Sequence, residues 1–208
     1  MVAEVENLID SIRERLKTEE MVRIPASIEE YFEIANESEF KIEYHEGEII
    51  AMGKASFFHE VLVGNLIWLL KDYYRTIGNH FVTGSNIGVM APERKGGYSP
   101  DVVVIEGQPV FRSNSVSDIL NPLILIEVLS NATIDYDLSS KLLNYKKIPS
   151  LKQIIFVNQY EPEVMSYTRT KEPNVWLNID YLSIENTVII DNLTVPMTEI
   201  YDKIEFVK

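Results

Sequence analysis

The chain has no cysteine, which excludes disulfides, thiolate metal sites and cysteine nucleophiles. Histidine is scarce: His45, His59 and His80 are the three. No Gly-x-Ser-x-Gly elbow accompanies them, so a Ser-His-Asp hydrolase finds little support. No glycine-rich Walker loop for nucleotide phosphates occurs either. The longest apolar stretch, Val61–Leu70, is interrupted by Gly64 and Asn65 and falls short of the ~20 residues a membrane span needs. The N-terminus, MVAEVENLIDSIRERL, has the pattern of a charged amphipathic helix and no apolar signal-peptide core. A cytoplasmic protein with no membrane partner is the expectation. Basic residues are also in deficit, 19 Lys and Arg against 32 Asp and Glu, for a net charge of −13. Acidity on that scale opposes non-specific nucleic-acid binding, which relies on Lys and Arg neutralising phosphates. It suits a protein that gathers divalent cations.

What is there fits one domain: 208 residues of which 46% are hydrophobic, enough for a proper core. No repeat or linker divides the chain. An amphipathic helix is expected over Val5–Thr18, and a second after Ser27, where Ser27-Ile28-Glu29-Glu30 has capping-box spacing. Residues 1–24 read as a helical extension and 25–208 as the domain proper. Lys41–Met52 reads as a hairpin turning at Glu46-Gly47. Phe57–Ile77 has helical periodicity stopped by Gly78. Strands are expected at His80–Ser85, Ile87–Met90, Asp101–Ile105, Leu123–Leu129 and Gln153–Val157. Three more follow at Glu163–Tyr167, Val175–Ile179 and Val188–Ile190, with a short helix near Met197–Tyr201. The near-continuous aliphatic character of Asp101–Ile105 and Leu123–Leu129 marks strands buried on both faces. A helix over Leu138–Lys147 between strands predicts a parallel crossover. The class is α/β (α+β), a mixed sheet flanked by helices, with the strands of Asp101 and Glu127 adjacent.

Two carboxylates stand where carboxylates are costly. Asp101 opens an apolar strand directly after Pro100, and Glu127 lies between Ile126 and Val128. Burial there calls for a cation, a hydrogen-bond network or protonation. Converging at one end of a sheet, the pair would offer what Mg²⁺ commonly takes from a protein. The plainer alternatives are a buried lysine or arginine beside Glu127 and a turn capped by Asp101. Lys141, in YDLSSKLLNYKK, is placed to reach back across the strand end towards a phosphate or a metal-bound water. Its plainer role is a surface i,i+4 pair with Asp137, worth a few tenths of a kcal/mol.

Pro100-Asp101 followed by Glu127-Val128-Leu129 resembles the PD-(D/E)XK signature of restriction-endonuclease-like nucleases, with Leu129 where the lysine normally stands. IEYHEGEII, SFFHEVLVGNL, YSPDVVVI, NPLILIEVLSNATIDYDLSSKLLNYKKIPSL and VPMTEIYDKI together resemble the Uma-type endonuclease family over essentially the whole chain. That resemblance implies a restriction-endonuclease-like core, Mg²⁺ or Mn²⁺ as cofactor, and DNA as substrate, weakly held by so acidic a chain. Asp101 and Glu127 become metal ligands and Lys141, supplied from the following helix, the lysine beside the attacking water. Glu43, just before the hairpin turn, corresponds to an accessory ligand or water-holder, and His59 to a histidine at the site rim. For these two the plainer readings are a solvated hairpin carboxylate and a helix-start histidine with local hydrogen bonds. Ser139-Ser140 stands where a Gly-Glu pair would precede the lysine. The implied function is a metal-dependent DNA endonuclease, with a homodimer allowed. The alternative is a catalytically inactive nuclease-fold module that acts through protein contacts.

Overall fold

The computed structural model describes residues 2–206. The chain opens with a helix, α1 (Val2–Arg15), and a strand, β1 (Met21–Pro25). Ser27 then caps α2 (Ile28–Glu37): its hydroxyl accepts from the Glu30 amide while the Glu30 carboxylate accepts from the Ser27 amide, a reciprocal cap that satisfies two otherwise orphan donors. The hairpin β2 (Lys41–His45) and β3 (Glu48–Met52) follows. Glu46 and Gly47 both take positive φ, 45° and 101°, the geometry whose twist matches the flanking strands of a two-residue turn. Ser56 caps α3 (Phe57–Ile77), and Gly78 ends it at φ 71°, a left-handed conformation that costs glycine little.

Next come β4 (His80–Gly84), β5 (Gly88–Met90), β6 (Gly96–Tyr98), β7 (Val102–Glu106), β8 (Asp118–Ile119) and β9 (Ile124–Leu129). A helical stretch over 134–145, α4, carries a π turn at Asp137–Lys141. The chain closes with β10 (Gln153–Asn158), β11 (Val164–Arg169), β12 (Trp176–Tyr181), β13 (Thr187–Ile190), β14 (Leu193–Pro196) and α5 (Met197–Ile200). No described helix is long and apolar enough to cross a membrane.

The mixed α/β architecture is divided over two six-stranded sheets and the small β13–β14 hairpin. One sheet runs β1-β3-β2-β6-β5-β8, the other β12-β11-β10-β9-β7-β4. The expected crossover is present: β9 and β10 are parallel, Glu127 facing Phe156 in register, with α4 between them in sequence. β7 and β9 are antiparallel neighbours, with Val102 opposite Ile126 and Val104 opposite Ile124. Every residue of β9 and β10 is buried, as a strand covered on both faces requires.

Alternation along the second sheet sends its side chains into two cores. Val102, Val104, Ile124 and Ile126 pack with Leu62, Leu66 and Leu70 of α3. Val103, Ile105, Leu125 and Leu129 turn the other way and pack with α4 and with Ile50, Val89 and Tyr98 of the first sheet. A third core forms on the outer side of the first sheet, where Ile42, Tyr44, Ile49 and Ala51 meet α1 and α2. Each fully buried large aliphatic side chain contributes about 1.5–3 kcal/mol of transfer free energy. The middle core, shared by both sheets, is the one that receives charged groups.

Candidate active site

The site begins where the chain passes from one sheet to the other. β6 ends at Tyr98, and Ser99, Pro100 and Asp101 carry the backbone across to β7. Extending the β7–β9 register by one residue sets Asp101 opposite Glu127, and odd-numbered side chains on both strands face the middle core. The Asp101 carboxylate is fixed from two sides: Oδ2 accepts from the Val128 amide at 2.9 Å, and Oδ1 lies 2.9 Å from Lys41 Nζ and 3.3 Å from His59 Nε2. His59 is set by the start of α3, where its own amide donates to the Ser56 hydroxyl at 3.1 Å. Ser56 in turn donates to Gln159 Oε1 at 2.7 Å, and Gln159 donates to the Leu129 carbonyl at 2.8 Å, tying the start of α3 to the end of β9.

β2 supplies the opposite wall. Alternation puts Ile42 and Tyr44 into the outer core and Lys41, Glu43 and His45 on the other face. Glu43 is fully buried. Its Oε1 accepts from the Ser99 amide at 3.0 Å, and its Oε2 accepts from the Tyr136 hydroxyl at 3.1 Å. Lys141 sits at the centre. Its Nζ is 3.0 Å from Glu43, 2.8 Å from Glu127 Oε1 and 3.0 Å from Asp137. Tyr145 also donates to Glu127 Oε1, at 2.5 Å. The rings of Tyr98, Tyr136 and Tyr145 enclose the ammonium with centroids at 5.9, 5.5 and 5.8 Å. Cation–π attraction at such distances is largest where water is excluded.

Charge crowding governs the protonation of this cluster. Burial pushes the Glu127 carboxyl up, Lys141 pulls it down, and Asp137 and Asp101 raise it again, so that it rests at about 8. Burial likewise raises Asp137 despite Lys141. Asp101 goes the other way: burial works against its charge, but Lys41 and His59 hold it below the usual carboxylate range. Burial opposes the charge on Lys141, but Asp137, Glu127 and Glu43 more than offset it and hold the ammonium protonated.

The five expected residues thus fall into two neighbouring contact groups, Asp101 with His59 and Lys41, and Glu127 and Glu43 around Lys141, and Asp101 and Lys41 act on Glu127 through charge. The expectation of a surface Lys141 fails. The i,i+4 contact with Asp137 forms, but Lys141 is 2% exposed, because the π turn aims it inwards between the sheets. Two members escaped the sequence reading, Lys41 and Tyr145, and Asp137 entered it only as a surface partner of Lys141. Lys41 was legible in principle, since the alternation of KIEYH puts it on the same strand face as Glu43. Asp137 and Tyr145 stand four residues before and after Lys141, helical spacing that shares a face.

Among the described residues no group of three or more His, Asp and Glu side chains is disposed to hold an ion. The donor set on offer is the pair Asp101 and Glu127, and one or two carboxylates are what Mg²⁺ commonly takes from a protein. The surrounding charge fits a divalent cation. Asp101, Glu43, Glu127 and Asp137 are four carboxyl groups facing two ammoniums, Lys41 and Lys141; with all four ionised the excess is two negative charges, and without a cation burial keeps Glu127 protonated below about 8.

The family described as "putative restriction endonuclease", Uma2, matches the chain over residues 28–198. The chain belongs to the Uma2 family. Two relatives from Synechocystis sp., both described as uncharacterized proteins, are similar over most of their length. One, sll1609, is 31% identical over 150 residues, 71% of this chain and 82% of that protein. The other, slr1290, is 29% identical over 155 residues, covering 74% and 80% respectively. A crystal structure described as a putative nuclease belonging to DUF820 from Anabaena variabilis superposes with a TM-score of 0.67. It covers 85% of this chain and 98% of that one at 15% identity. The fold is restriction-endonuclease-like, and membership of Uma2 supports a nuclease-like function.

Proposed function

We propose that this Uma2 protein is a divalent-metal-dependent endonuclease that hydrolyses phosphodiester bonds of DNA. The observation that carries the reading is the pairing of Asp101 with Glu127 on antiparallel neighbours, in a buried cluster of four carboxyl groups around two ammoniums. These two carboxylates would hold Mg²⁺ or Mn²⁺. Bound there, the ion would polarise the scissile phosphate and lower the pKa of a coordinated water.

The chain's own groups prepare that position. The Val128 amide fixes Asp101 Oδ2 and leaves Oδ1 towards Lys41 and His59. Tyr145 and Lys141 hold Glu127 through Oε1. Glu43, anchored by Ser99 and Tyr136, keeps Lys141 in place from the other sheet. Such mutual fixing is the support that carboxylate ligands need to keep their geometry.

One observation favours the alternative of an inactive nuclease-fold module: a net charge of −13 repels the substrate. Assays therefore belong at low ionic strength, where the few local cations are least screened. Purified protein is offered single-stranded, double-stranded and branched DNA with Mg²⁺, Mn²⁺ or EDTA. Cleavage with either metal, none in EDTA, and none with Asp101→Asn or Glu127→Gln is the expected result. No cleavage of any substrate would favour the protein-contact module.

A further inference from the structure

The reaction needs a cation free to meet the substrate phosphate, and the lysine that the motif points to is not free. An ammonium has three N–H donors. One of those on Lys141 donates to Glu43 at 3.0 Å, and Glu127 and Asp137 lie 2.8 and 3.0 Å from the same nitrogen as ion pairs, inside three tyrosine rings, with almost no surface in contact with solvent. A phosphate oxygen could approach Nζ only by displacing a buried carboxylate. Lys41 is disposed differently. Among the described residues it meets one carboxylate, Asp101 Oδ1 at 2.9 Å, and its side chain is 28% exposed against 2% for Lys141.

Its place in the sheet explains the opening. β6 pairs with β2 only at Tyr44 and His45, so the Lys41 end of β2 extends beyond the cover of β6. Lys41 and His59 also meet the same Asp101 oxygen, one from the first sheet and one from the first turn of α3. Any phosphate drawn to an ion on Asp101 would arrive beside both.

We infer that Lys41, flanked by His59, is the catalytic lysine that contacts the scissile phosphate, while Lys141 is a positioning residue for Glu127. The inference rests on the nuclease reading above. In the step it serves, the oxygen of water forms a bond to phosphorus and the ester P–O bond breaks. One water proton ends on the leaving alkoxide, giving an alcohol, and the water oxygen with its other proton remains as the P–OH of the released phosphate monoester. The Lys41 ammonium stabilises the charge that builds on the non-bridging oxygens and neither gains nor loses a proton overall.

The test compares wild type, Lys41→Met and Lys41→Arg in two assays. In EDTA, where nothing is cut, fluorescence anisotropy on a DNA oligonucleotide follows affinity against salt. Lys41→Met is expected to bind more weakly, with the slope of log affinity against log salt shallower by about one. With Mg²⁺ or Mn²⁺ it is expected to cleave about 10²–10³-fold more slowly, and Lys41→Arg to recover most of both losses. Wild-type rates and affinity in Lys41→Met would overturn the assignment and leave the nuclease reading standing. If wild type neither binds nor cuts DNA, the nuclease reading falls and takes the assignment with it. Should Lys41→Met fail to fold, amine acylation of the wild type decides. Lys41 is expected to be labelled and then protected by DNA, while Lys141 stays unlabelled throughout. Equal labelling of Lys41 with and without DNA would overturn the inference.

Discussion

Replacing Lys141 by methionine removes the one cation from a pocket that holds three carboxylates. Glu43, Glu127 and Asp137 are all nearly inaccessible, so none can turn to water for compensation. Breaking a buried ion pair by deleting one partner costs about 3–5 kcal/mol, since the remaining charge is left unpaired. For a domain of this size each kcal/mol lowers Tm by about 2–4 °C, which gives a loss of about 6–20 °C. The loss must also depend on pH. With Lys141 present, burial and neighbouring carboxylates already hold Glu127 at about 8 against an ordinary value of 4.5; without the ammonium it moves higher. The folded variant then keeps a proton that the unfolded chain has released, so its stability falls as pH rises from 4.5 upwards; wild type falls alike only as far as about 8, where Glu127 ionises beside Lys141, so the deficit grows above about 8. Protonation at low pH relieves the crowding. Thermal melts of Lys141→Met and wild type at pH 7 and pH 9 measure this, with the larger deficit expected at pH 9. Equal melting temperatures at pH 7, or a deficit that does not grow by pH 9, would refute the buried-cluster account.

Mg²⁺ or Mn²⁺ is expected to raise the melting temperature of wild type and to leave Asp101→Asn and Glu127→Gln unmoved, because binding to the native state alone stabilises it. An equal rise in all three would assign the ions to the acidic surface. Ser56→Ala, which removes the cap of α3 and its bond to Gln159, is expected to cost about 1 kcal/mol in a denaturant titration. A cost near zero would mean that His59 is held by other contacts. Gly96→Ala would drive a methyl group into the Tyr98 ring, and near-ultraviolet circular dichroism should report the displaced tyrosine. An unchanged spectrum would show that the ring can give way freely.

Long periodic segments were legible from sequence, and short paired ones were not. Phe57–Ile77 announces itself by its apolar spacing and its Gly78 stop, and the Lys41–Met52 hairpin by its turn. β7 and β9 are marked by aliphatic runs that suit strands covered on both faces. β1, β6, β8 and β14 were missed. Gly96-Gly97-Tyr98 has no strand propensity of its own, and it is extended because β2 and β5 pair with it on either side. β8 is two residues long and exists through its register with Gly88 and Val89. Such strands are made by tertiary partners, which local propensity does not encode.

The same distinction runs through the site. Asp101 and Glu127 stood out because a carboxylate in an apolar strand demands explanation. Lys141 stood out through the motif, but its depth depends on the π turn and on a second sheet closing over it. That division of one expected sheet into two also hid Lys41, whose partner Asp101 lies 60 residues away in sequence.

The claim that Asp101 and Glu127 share one divalent cation is tested most directly by crystals grown with Mn²⁺ and measured at an anomalous wavelength. The account predicts a single strong anomalous peak within about 2–2.6 Å of an oxygen of each carboxylate, with water completing its shell. Anomalous signal confined to the outer acidic surface, with Asp101 still bonded to Lys41 and Glu127 to Lys141 and Tyr145, would contradict it.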